Sequence, residues 1–216
     1  PAVRSVSVGV LVPIGSRHET PATAGATHFL EHLLFKGTQR RSALDIAADI
    51  EGLGGEINAF TTKEYTCYHV RLLDEHLDVA IDVLADMLGA SLLRSSDIEA
   101  ERGVVLEEIA MSEDDPLDLG RTELERELFG NHPLAGPVAG SAHSVSTMRR
   151  AALRGHYRRY YTPDNYVITV VGNASHRKVV SAVSRAFGLA DAPVRTPKAS
   201  KPPLAPRHGR ARVGKA

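Results

Sequence analysis

The sequence predicts an α+β fold, a mixed, largely antiparallel sheet packed with helices. Two observations lead there. Four short runs carry strand-like patterning, and two of them, "EINAFTT" and "EYTCYHVRLL", follow each other across a short turn as a hairpin would. The remaining segments show apolar residues at helical spacing but do not alternate regularly with the strands, which argues against a parallel α/β sheet. No internal repeat is present.

The first strand is read from the alternation over Val6–Val12. A loop, "PIGSRHETPATAG", leads into the helix of "THFLEHLLFKG", with Gly37 placed for a left-handed cap. Ser42 followed by Asp45 resembles a capping box, so "SALDIAADIEGL" reads as a second helix ending at Gly54-Gly55. After the hairpin, Leu77, Ile81, Leu84 and Leu88 have helical spacing. Asp97 opens the long helix "DIEAERGVVLEEIAMSEDD", and Pro116 suits the first turn of the next. "NHPLAGPVAGS" is a Gly/Pro loop, a helix runs from about Ser146 to Tyr160, and a strand, "NYVITVVGN", and a helix, "SHRKVVSAVSRAFGL", close the series.

At 216 residues the chain can bury a substantial core, and 43% hydrophobic with 24% charged residues is ordinary for a globular protein. A formal net charge of zero supplies no global field for nucleic acid or anionic lipid, and no run of about 18 apolar residues suggests a membrane span. The single cysteine, Cys67, excludes an internal disulfide and a four-cysteine zinc site, and its strand-like setting reads as a small buried hydrophobe. Residues 192–216 hold five prolines, seven Lys or Arg and no acidic residue. Without interleaved aromatics this reads as a linker or tail rather than a nucleic-acid arm. The expected organisation is therefore one domain, 1–190, and a Pro/basic-rich linker or disordered tail, 191–216. Beginning at Pro1, the chain reads as a fragment of a longer protein.

The chemistry concentrates in "THFLEHLLFKG". Successive helical residues turn about 100°, so His28, Glu31 and His32 share one face of a helix whose other positions are Phe29, Leu30, Leu33, Leu34 and Phe35. Unpaired polar groups on so apolar a helix cost a few kcal/mol each, roughly, unless something satisfies them. Two imidazoles one turn apart can bind one metal, and a glutamate beside them suits a base for metal-activated water. The order His-x-x-Glu-His inverts the zinc-protease pattern His-Glu-x-x-His.

A catalytic zinc commonly takes three protein ligands. The acidic helix offers candidates: Glu101 and Glu108 lie seven apart, on a face expected to include Val104 and Val105, whereas Glu107 points about 100° away. The residues alone leave the third ligand open.

Taken together, "HFLEH" with "LFKGT", then "GGEINAFTTKEYTCY", then "ERGVVLEEI" resemble the pitrilysin/insulysin-type zinc metallopeptidases, including the mitochondrial processing peptidase β subunit and its bacterial relatives. The resemblance spans roughly residues 6–188. It implies one Zn2+ per chain held by His28, His32 and Glu108, the last being the acidic residue 76 positions after the second histidine. It implies Glu31 as general base, Glu101 as a supporting glutamate, and Asn58 and Ala59 as the edge strand on which an extended peptide pairs. It further implies a second homologous half, in the same or another chain, that helps hold the scissile peptide. "HYRRYY" lies within the present half and is not given that role.

The expected function is thus a zinc metalloendopeptidase acting on extended peptides or unfolded segments, with full activity expected to require the second half and a homodimer as an alternative partner arrangement. The rival from another class is a non-catalytic metal- or peptide-binding partner subunit; within metal chemistry it is a non-haem iron site of two histidines and a carboxylate. A bacterial cytoplasmic location is expected.

Overall fold

The computed structural model of the chain describes residues 3–189. The stretch 191–216, expected to be a linker, lies outside them. Alternation at the start of the chain becomes strand β1 (Ser5–Val12), in which Val6, Val8, Val10 and Val12 are buried. The hairpin is β2 (Glu56–Thr61) and β3 (Thr66–Leu73), and the last strand is β4 (Val167–Gly172). Strand order is β2-β3-β1-β4, and every neighbouring pair described is antiparallel, so the sheet expected to be mixed has no parallel pair among the described residues. β2 is an edge strand. The register places Ala59, Tyr68, Val10 and Ile168 in one row, and Thr61, Thr66 and Val12 in the row that would follow on the same face.

The helices are α1 (Ala26–Leu34), α2 (Ala43–Glu51), α3 (Leu77–Ala90), α4 (Ser95–Asp114), α5 (Pro116–Phe129), α6 (Ala142–Thr147), α7 (Arg150–Tyr160) and α8 (His176–Ala186). α2 begins as its capping box predicts, with Asp45 N–H donating to Ser42 Oγ at 3.2 Å and Ser42 N–H to Asp45 Oδ2 at 2.8 Å. Asp115 caps α5 by accepting from Leu117 N–H at 2.7 Å, and Pro116 occupies the first helical position. α4 starts two residues before Asp97, which sits in its first turn, where a carboxylate favours the helix dipole.

The single helix expected from about Ser146 to Tyr160 is two helices. Ser141 caps α6 through Ser144, and Met148 and Arg149 are extended between α6 and α7. The break is held from outside: Arg102 of α4 donates to the carbonyls of Val145 and Met148, and the Met148 side chain is buried. Those carbonyls need not find helical partners.

α1 contacts α4, α7 and β2, and its Phe29, Leu30, Leu33 and Leu34 are all buried. Burial of four such side chains contributes roughly 1.5–3 kcal/mol each, an upper estimate that easily offsets the polar face. Past its end, Gly37 takes a φ of +121°, and buried Thr38 donates to Asp86 of α3 at 2.7 Å. β4 pairs with β1 and α8 packs on α3, so the last third of the described chain shares this core.

Candidate metal centre

α1 is fixed at its N-terminus by unusual means. Gly25, at its N-cap, has a φ of +88° and offers no capping side chain. A Cβ there would lie 2.4 Å from the Ala139 carbonyl oxygen, and one on Gly140 would lie 2.5 Å from that of Ala24. The two backbones therefore meet where only glycine fits. Glu19 supplies the missing cap, its two carboxylate oxygens accepting from Gly25 N–H and Thr27 N–H at 2.7 Å each. Burial pushes the Glu19 carboxyl up, and these hydrogen bonds oppose the shift. Thr27 Oγ1 meets His156 Nε2 of α7 at 3.1 Å, and burial holds that imidazole down to about 4.

On this anchored helix the His28 and His32 rings lie 4.8 Å apart, nearly edge to face. Glu108 of α4 faces both: its Oε2 is 3.5 Å from His28 Nε2 and 3.5 Å from His32 Nε2. One ligand atom from each of these three residues lies within 4.8 Å of the others. In a tetrahedron with bonds of about 2.0–2.1 Å, ligand atoms sit about 3.4 Å apart, so the donor set fits zinc. Burial, with the neighbouring His32, holds His28 down to about 4, which keeps the imidazole neutral for ligation. His32 turns its other nitrogen, Nδ1, to Glu101 Oε2 at 3.3 Å, and Lys36 Nζ meets Glu101 Oε1 at 2.7 Å. A carboxylate behind a ligating histidine fixes ring orientation and tautomer. His28 Nδ1 is buried without a hydrogen-bond partner.

Glu31 shares the cleft, and Thr61 of β2 donates to its Oε2. Burial pushes the Glu31 carboxyl up and Glu108 adds to this, while the Thr61 hydrogen bond and His32 oppose it. A carboxylate raised in this way is a better proton acceptor. The cleft, about 830 Å³, is lined by His28, Glu31, Ala59, Thr61 and Glu108 together with residues of α5.

The structure brings together His28, Glu31, His32, Glu101, Glu108 and Ala59. Asn58 belongs to the same edge strand but is exposed, outside the cleft lining, and its Oδ1 accepts from Ala59 N–H at 2.8 Å. Glu107 is exposed, as its angle on α4 predicts. The valine face is half right: Val105 is buried, whereas Val104 is 42% exposed, because α4 buries the stripe Ile98, Glu101, Val105 and Ile109. Reading the residues overlooked Thr61, Lys36 and Glu19. Thr61 lies two positions beyond Ala59 on the same strand face, and Lys36 one turn beyond His32, so both had a spacing signal. Glu19 had none.

A family model for the insulinase peptidases, family M16, matches residues 1–142, and one described as the peptidase M16 inactive domain matches 147–214. The chain belongs to the M16 peptidase family, the pitrilysin/insulysin type that its motifs resemble. It is 50% identical over 213 residues to an uncharacterized zinc protease of Streptomyces coelicolor, a match covering 99% of this chain and 46% of the relative. The fold matches a protease from Helicobacter pylori with a TM-score of 0.84 at 24% identity, covering 94% of this chain and 49% of the other. It matches pitrilysin with a TM-score of 0.80 at 21% identity, covering 94% and 22%. The chain thus spans about half the length of the curated relatives it matches. All four residues His28, Glu31, His32 and Glu108 fall within the first family match, and none within the second. Among the described residues no helix is long and apolar enough to cross a membrane.

Proposed function

We propose that this chain is the zinc-bearing half of a bacterial metalloendopeptidase, with residues 1–190 as its domain and 191–216 as the linker toward a second, homologous half. The observation that carries the reading is the convergence of His28 Nε2 and His32 Nε2 on one oxygen of Glu108, with Glu31 in the same cleft. Zinc, when bound there, supplies a Lewis acid that acidifies water and polarises a carbonyl.

The chain's own residues do the rest. His28, His32 and Glu108 hold the metal, and Glu101 orients His32 from behind. Glu31 accepts a proton from the attacking water and returns it to the leaving amine; with Oε2 engaged by Thr61, Oε1 is the oxygen for that proton. The substrate is an extended peptide or unfolded segment, because an edge strand binds by pairing backbone to backbone. β2 is such an edge, and Ala59 on it lines the cleft. A bacterial cytoplasmic location belongs to the same proposal, and the one cysteine, Cys67, is buried and free.

Glu31→Gln tests the reading. The variant keeps the size of the side chain but takes up no proton, so it should retain zinc and lose hydrolysis by about 10²–10⁴-fold. Loss of zinc would make Glu31 a ligand instead. Iron in the purified wild type would favour the oxygenase-type site, and a metal-free protein that still binds peptide would favour the non-catalytic partner.

A further inference from the structure

The same edge strand that borders the cleft also grips Glu31, next to a group of buried hydroxyls. Thr61 Oγ1 donates to Glu31 Oε2. Directly across the β2–β3 pairing stands Thr66, fully buried, whose Oγ1 donates to the Ile14 carbonyl at 3.0 Å. Tyr68 OH lies 3.2 Å from Tyr161 OH. Both tyrosines are buried.

Each hydroxyl has one proton, and a carbonyl oxygen only accepts. The Thr66 proton therefore goes to the Ile14 carbonyl. Thr66 has no proton left for Thr61, and its oxygen is 3.5 Å from Thr61 Oγ1, at the limit of a useful bond. The Thr61 proton goes to the carboxylate, the stronger acceptor.

We propose that Thr61 is a positioning residue for Glu31, its one proton committed to the Glu31 carboxylate beside a Thr66 hydroxyl that is committed to Ile14. The proposal rests on the reading of Glu31 as the general base. A glutamate has three side-chain torsions, the last of them broad. Pinning Oε2 leaves Oε1 as the face presented to the cleft. Because Thr61 and Ala59 are two residues apart on β2, the group that holds the base and the backbone that would register the peptide belong to one strand. A shift of about 1 Å between reacting groups can cost about 10²-fold in rate.

The test compares Thr61→Val, which keeps the shape without the hydroxyl, with Thr61→Ser, which keeps the hydroxyl. Zinc content, kcat and KM on a quenched fluorescent peptide, and crystal structures are measured on the chain combined with its second half. Thr61→Val should keep its zinc and its KM, lose about 10- to 100-fold in kcat, and show the Glu31 carboxylate displaced. Thr61→Ser should recover most of that loss. An unchanged kcat in Thr61→Val overturns the proposal. So does a loss that Thr61→Ser fails to recover, since that would mark a packing role. If wild type binds zinc but does not hydrolyse peptide, the reading of Glu31 as base fails. The position of the Glu31 carboxylate in the wild-type and Thr61→Val crystals then still decides whether Thr61 holds it.

Discussion

His28, Glu31 and His32 need only one turn of helix to come together, so their association was legible in five residues of sequence. Glu108 is different. It reaches the histidines because α4 crosses α1, a tertiary fact that spacing on α4 alone does not contain. Family resemblance chose it over Glu107, and the geometry gives the choice a physical content: Glu108 Oε2 faces both imidazoles while Glu107 is exposed. Glu108→Gln should therefore weaken zinc retention sharply, and Glu107→Gln should leave it nearly intact, as read by elemental analysis after dialysis against a mild chelator. The reverse pattern would place the third ligand at Glu107, on a different face of α4. Thr61 and Lys36 escaped notice because each acts on a residue far away in sequence, Thr61 on Glu31 and Lys36 on Glu101.

At the level of elements, local signals served where the cause was local. The capping box of α2, the Asp115-Pro116 start of α5 and the alternation of β1 all appear where residue patterns put them. The break between α6 and α7 did not, since neither Gly nor Pro marks it and Arg102 imposes it from another helix. The seating of α1 is likewise tertiary, and it carries a pH signature. His156, buried against Thr27, has its imidazole held down to about 4 from an ordinary 6.5. Between those values the unfolded chain binds the proton more readily than the folded one, so stability falls as pH drops through that window. The contribution, on the order of 3 kcal/mol, is fully present above about pH 6.5 and absent below about pH 4. His156→Gln does not titrate, so its stability measured by urea unfolding should depend less steeply on pH from 6.5 to 4 than that of wild type. Parallel profiles would mean that His156 is not the group responsible.

For the whole molecule, the α+β class followed from uneven runs of strand and helix, whereas the strand order β2-β3-β1-β4 did not, because β1 joins two strands that pattern alone leaves unconnected. That order leaves β2 on the edge beside α1, and so decides where a peptide could lie. The three proposed metal ligands all lie within this chain: both histidines sit on α1 and Glu108 on α4. The cleft is walled by β2, α4 and α5 but open, and the chain spans only about half the length of its curated relatives. Metal binding and turnover should therefore separate. The most direct measurement takes one preparation of the chain, alone and then mixed with the second half, and records bound zinc and hydrolysis of a quenched fluorescent peptide together. The account predicts one zinc per chain in both cases, lost in Glu108→Gln, with hydrolysis weak alone and strong in the mixture. A chain that purifies without zinc and does not take it up, or one that cleaves as fast with its zinc removed, would contradict it.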